Sequence, residues 1–157
     1  MEEYLRSLIS GMEEKKECLE ALIAKTGLQA ETVKEESVDW DEFDRLVDEK
    51  DELIDRLDAL DEGFQQVFDR IKPDLEGKKD NYKEYIKKLQ GLIREVTEMG
   101  TKLMSEEQKN RGLITERFAA EKKRISTSKT TSKAAASYYT SMNQINLIDP
   151  QLMDKKK

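Results

Sequence analysis

The run DWDEFDRLVDEKDE, residues 39–52, gathers eight carboxylates in fourteen positions. It is the first place to look for chemistry. A calcium loop of the helix–loop–helix type needs oxygen ligands at alternating positions, a glycine at the sixth and a glutamate at the twelfth. Phe43 and Asp44 stand where the fifth ligand and that glycine would be, so the run reads as the solvated face of a helix. The chain has no histidine, which removes the commonest general base and metal ligand together. Its one thiol, Cys18, has no second cysteine with which to form a zinc site or a redox pair. Cys18 falls on the apolar side of its segment beside Leu19 and Leu22, among acidic neighbours that disfavour a thiolate, and reads as a small core residue. The stretch EGKKD, residues 76–80, lacks the spacing and the Ser/Thr of a phosphate loop. The residues therefore point away from an enzyme, and no cofactor or metal is expected.

The elements that carry these residues are helical. Charged residues make up 39 % of the 157, aromatics 6 %, with two prolines and seven glycines. That composition suits long helices and provides too few turn residues for a sandwich or barrel. In the first segment Leu5, Leu8, Met12, Leu19, Leu22 and Val33 lie on a seven-residue lattice, which Lys15, Thr26 and Gln29 weaken. An amphipathic helix over about 2–34 is expected. Asp39 followed by Glu42 has the capping-box spacing, with Val38 and Phe43 at the staple positions, so a second helix begins at 39. It carries the strongest pattern in the chain, from Phe43 to Ile71, with Lys50 as its single break. Pro73 and Gly77 then indicate a turn near 72, or a kink in a continuing helix. A third stripe runs from Tyr82 through Leu103, passes the all-polar stretch SEEQKNRG, and resumes more sparsely at Leu113, Ile114, Phe118 and Ile125.

The expected fold is all-α: an elongated antiparallel three-helix bundle or coiled coil with helices at about 2–34, 39–72 and 78–125. A Ser/Thr/Lys-rich tail with an apolar end follows over 126–157. At about 1.5 Å per residue the third helix outruns the second by some four turns. Leu113, Ile114, Phe118 and Ile125 then sit in or near an overhang, with only the tail to cover them, and such apolar surface usually belongs to a partner. The tail adds Tyr138, Tyr139, Met142, Ile145, Leu147 and Ile148, too apolar for a solvent brush and too irregular for a fourth core helix.

Net charge is −6, but residues 1–62 hold 21 acidic against 8 basic side chains, and residues 63–157 hold 13 against 20. The simplest reading is that the two halves complement each other inside the bundle. The basic run at 121–133 is diluted by Glu121, serines and threonines, so nucleic acid is not an expected partner. No apolar run is long enough to span a bilayer, and no membrane insertion is expected. With no secretory leader visible and a single cysteine, the expected compartment is the cytoplasm.

The stretch LVDEKDELIDRLDALDEGFQQVFDRIK (46–72), the long third helix behind it and the ending AAASYYTSMNQINLIDPQLMDKKK resemble FlgN-type flagellar export chaperones. The resemblance implies a small cytoplasmic helical chaperone of type III export. Such a protein binds hook–filament junction proteins through apolar surface in its C-terminal helical region, prevents their premature assembly and escorts them to the export gate. A chaperone of this kind is expected as a monomer or weak homodimer. Two other readings stand beside it: a coiled-coil adaptor that dimerises through the same overhang, and a chaperone of the related FliT type serving filament caps.

Overall fold

A computed structural model of the chain describes residues 1–120. Three helices account for almost all of them: α1 (Glu2–Lys34), α2 (Trp40–Glu76) and α3 (Lys83–Ala120), with a short 3₁₀ turn, Lys79–Tyr82, leading into α3. Leu5 and Leu8 of α1 meet Phe68 and Leu75 of α2 and Leu89 of α3 at one end. Val33, Phe43 and Ile114 meet at the other. The helices therefore run up, down and up. α1 packs along both of its companions, whereas the backbones of α2 and α3 scarcely approach each other.

The start of α2 arises from local chemistry. The Asp39 carboxylate accepts the Glu42 N–H at 3.1 Å, and Val38 and Phe43 are both buried as the hydrophobic staple requires. The box is not reciprocal in the expected way, because the Glu42 carboxylate turns outward to Arg45 one turn on. That charge-assisted bond holds the Glu42 carboxyl below the usual range.

Pro73 does not end α2. The helix continues through it to Glu76, four residues beyond the expected boundary. Proline removes one donor and leaves the rest of the turn to packing. That packing comes from Leu75, buried in the main core, and the Lys78 N–H closes the end by donating to the Leu75 carbonyl at 3.0 Å. With the 3₁₀ turn taking the next residues, α3 starts at 83 rather than 78.

These two shifts correct the expected overhang. α2 has 37 residues and α3 has 38 up to Ala120, so the two are matched in length over the described residues. Leu113, Ile114 and Phe118 consequently lie beside the start of α2 instead of past it: Ile114 is buried, and Leu113 and Phe118 are half-buried. Ile125, Tyr138, Tyr139, Met142, Ile145, Leu147 and Ile148, with the whole 126–157 segment, lie outside the described residues.

The core positions keep to the 3–4 lattice without a break, polar residues included. On α1 the buried series 5, 8, 12, 15, 19, 22, 26, 29, 33 passes through Lys15, Thr26 and Gln29. On α3 the series 89, 93, 96, 100, 103, 107, 110, 114 passes through Glu107 and Asn110. Burying each large apolar member contributes about 1.5–3 kcal/mol, so a polar one in its place needs compensation. Lys15 finds it in Asp61, with Nζ to Oδ1 at 2.6 Å. Burial nonetheless pushes the Asp61 carboxyl upward against the pull of that lysine.

Two of the ion pairs that tie α3 to its neighbours run against the simple complementarity of an acidic and a basic half. Lys16–Glu95 and Lys50–Glu107 both place the base on the acidic half and the acid on α3. They do not draw on the positive surplus of the later residues.

Candidate functional site

Apart from Lys15, the polar residues of the lattice meet at one level of the bundle. Lys50 of α2, fully buried, donates from Nζ to the Gln29 side-chain oxygen of α1 at 2.5 Å and pairs with the Glu107 carboxylate of α3. The Thr26 hydroxyl lies 2.7 Å both from the same Glu107 oxygen and from the Leu22 carbonyl. Asn110 donates to the Thr26 carbonyl at 2.8 Å. Each helix supplies at least one member. Burial dominates over the attraction of Glu107 and lowers the Lys50 ammonium to about 8.

This layer divides the apolar interior in two. Below it runs the long core, from Leu5 to Leu103. Above it lies a smaller cluster of Val33, Val38, Phe43, Val47 and Ile114, against which Trp40, Leu113 and Phe118 pack half-buried. The three rings at this end contact one another: Trp40–Phe43 at 5.3 Å nearly edge-on, Trp40–Phe118 at 5.0 Å, and Phe43–Phe118 at 6.4 Å. Offset and edge-to-face pairs at such separations add to plain burial. One turn of α3 is also tied to the loop between α1 and α2, where the Arg117 guanidinium donates to the carbonyls of Glu35 and Glu36 at 3.0 and 3.1 Å.

Three of the residues expected to face a partner are thus brought together here. Ile114 supports the cluster from within, and Leu113 and Phe118 form part of its rim. Leu113 also borders a groove between α1 and α3 whose floor includes Gly27 and Ala30, and on the same part of α1 Leu28 is 53 % exposed. Trp40, Arg117 and the polar layer were not anticipated. Trp40 sits within the capping sequence, one lattice step ahead of Phe43, where the stripe read from the sequence begins. The polar layer had a signal: carrying the 3–4 spacing straight through SEEQKNRG lands on Glu107 and Asn110.

The Cys18 thiol is buried and pushed upward chiefly by that burial. Among the described residues, no three His, Cys, Asp or Glu side chains are placed to hold a metal ion. Among those residues, too, no helix is long and apolar enough to cross a membrane. What the geometry provides is an aromatic and aliphatic patch, half in water, at the end from which α3 leads toward an apolar segment.

No curated protein and no solved structure matches the sequence. A family model, that of the FlgN protein, matches residues 1–146, which takes in all the described helices and most of the chain beyond Ala120. On that match the chain belongs to the FlgN family, a family of flagellar chaperones.

Proposed function

We propose that this protein is a cytoplasmic type III export chaperone that binds hook–filament junction proteins, keeps their terminal helices from assembling early and delivers them to the export gate. The observation that supports this reading is the separate apolar cluster at the α3 end, with Trp40, Leu113 and Phe118 only half covered. A client helix lays its apolar face along Leu113 and Phe118, with Ile114 as the support beneath them, in the helix-in-groove manner. Ile125 and the later residues Tyr138, Tyr139, Met142, Ile145, Leu147 and Ile148 supply the remaining apolar contacts. Each large side chain so buried offers about 1.5–3 kcal/mol before ordering costs, so a handful reaches micromolar affinity. Binding and release complete the task, and no bond is made or broken.

The test is calorimetric titration of purified hook–filament junction proteins into the full-length chain, the F118A variant and a version ending at Thr127. Affinity is expected to fall in both altered proteins, most in the shortened one. Unchanged affinity in both would remove the site. A filament-cap protein binding in place of the junction proteins would move the chain to the other client class. Sedimentation across a concentration series is expected to give a monomer or weak dimer; a tight dimer would favour the adaptor reading.

A further inference from the structure

At the opposite end of the bundle, α2 and α3 stand apart and α1 floors the gap between them. The slot has a volume of about 350 Å³. The half-buried Ile86 and the edge of Leu75 line its open part, with Leu5, Leu8, Phe68 and Leu89 buried beneath them, and its rim is cationic. Four lysines stand around it: Lys72 at the end of α2, Lys79 in the 3₁₀ turn, and Lys83 and Lys87 one turn apart on α3. Glu76 and Asp80 are the acidic members of the lining, so the rim keeps a positive surplus in a protein of net charge −6. This is part of the surplus on which the Lys16–Glu95 and Lys50–Glu107 pairs do not draw.

Size and charge together select an occupant. An apolar cavity of about 150 Å³ holds one benzene ring, so this slot admits two side chains of leucine or phenylalanine size and not a whole helix. Two large apolar side chains at i and i+4 of one helix point the same way and reach such a slot together. Carboxylates flanking them would meet the lysines, which favours encounter and fixes orientation.

We propose that this slot is a second docking site, which takes an acidic amphipathic helix of a partner protein by lowering two adjacent apolar side chains between α2 and α3. It is distinct in place and in chemistry from the aromatic end of the bundle. One protein can then hold two polypeptides at once, one at each end.

The test uses the full-length chain and a fluorescein-labelled helical peptide with leucines at i and i+4 flanked by glutamates. A matched peptide carries lysines in place of the glutamates. The acidic peptide is expected to bind, more weakly as salt rises, and the lysine version is not. Reversing the rim in K79E/K83E/K87E is expected to weaken the acidic peptide about tenfold, while F118A leaves it unchanged. Independently of folding in the triple variant, methyl resonances of Leu75 and Ile86 in the unaltered protein are expected to shift on peptide addition. Equal binding of both peptides, absence of binding, or unmoved Leu75 and Ile86 signals would overturn the proposal. Uptake of phosphatidylglycerol vesicles in preference to the peptide would overturn it as well. Client titrations on K79E/K83E/K87E are expected to match those of the unaltered chain, so failure here and failure of the chaperone reading are told apart.

Discussion

Lys50 of α2 and Glu107 of α3 form an ion pair with both side chains buried, although the backbones of their helices scarcely approach each other. The pair bridges α2 and α3 through their side chains, and Thr26, Gln29 and Asn110 complete the polar layer around it. Such a layer adds specificity of register more readily than stability, because two charges have left water to form it.

Breaking the pair from one side is therefore expected to cost more than removing it altogether. E107Q strands a buried ammonium and is expected to lose about 3–5 kcal/mol. The double change K50M/E107L replaces the pair with apolar groups of similar size and is expected to lie within about 1 kcal/mol of the unaltered protein or above it. Urea unfolding of the two singles and the double, read as a cycle, measures the coupling.

The same lysine gives a pH signature. Its ammonium is held down to about 8 in the folded chain, against roughly 10.4 when unfolded. Between those values the unfolded state binds more protons, so the contribution of Lys50 to stability rises with pH across that window. Below about pH 8 the cost of burying the charge is present in full, and above about 10.4 it has gone. The groups that face it include the Glu107 carboxylate from α3 and the Gln29 amide from α1. The stability difference between the unaltered protein and K50M, measured by denaturant titration from pH 7 to 10.5, is expected to shift in favour of the unaltered protein by up to about 1.4 kcal/mol per pH unit.

Ile114→Ala tests whether the upper cluster moves by itself. A buried isoleucine cut to alanine is expected to cost about 2–5 kcal/mol when the whole chain must unfold. Because the polar layer separates the two apolar clusters, hydrogen exchange is expected to accelerate over residues 110–120 and over the start of α2, while Leu89–Leu103 keep their protection. Uniform acceleration along α3 would show a single cooperative core.

The cap at Asp39 gives a smaller, local effect. D39A removes the acceptor for the Glu42 N–H and is expected to cost about 1 kcal/mol. Thermal unfolding monitored by circular dichroism detects it, and D39S is expected to recover most of the loss.

Cys18 is expected to resist alkylation. It is 8 % exposed and its thiol is pushed upward by burial. Iodoacetamide labelling at neutral pH is expected to track global opening, slow in buffer and rapid in denaturant. Rapid labelling of the folded protein would show that α1 is loosely held near its middle.

How much could be read in advance varies along the chain. α1 was legible end to end, because its apolar spacing and the capping signal of the next helix at Asp39 are both local. The start of α2 was legible through Asp39, Val38 and Phe43 for the same reason. The end of α2 was not, since Pro73 is a local stop that Leu75 overrides by packing against residues from the beginning of the chain. The family was visible in the layout of the helices and in the ending, whereas the half-buried rim with Trp40 and Arg117 was not.

By itself the sequence determined the fold class, three amphipathic helices and a lattice whose phase can be traced through every element, because period and capping act within a few residues of one another. Tertiary structure decided which lattice positions meet. Lys15, Thr26, Gln29 and Lys50 look like flaws along their own helices, and in the bundle Lys15 pairs with Asp61, Thr26 and Lys50 meet Glu107, and Gln29 accepts from Lys50. It also decided that Leu113, Ile114 and Phe118 lie level with the start of α2. A few residues gained past Pro73 and a few taken by the 3₁₀ turn slide one rod against another, and only packing between distant segments fixes that offset.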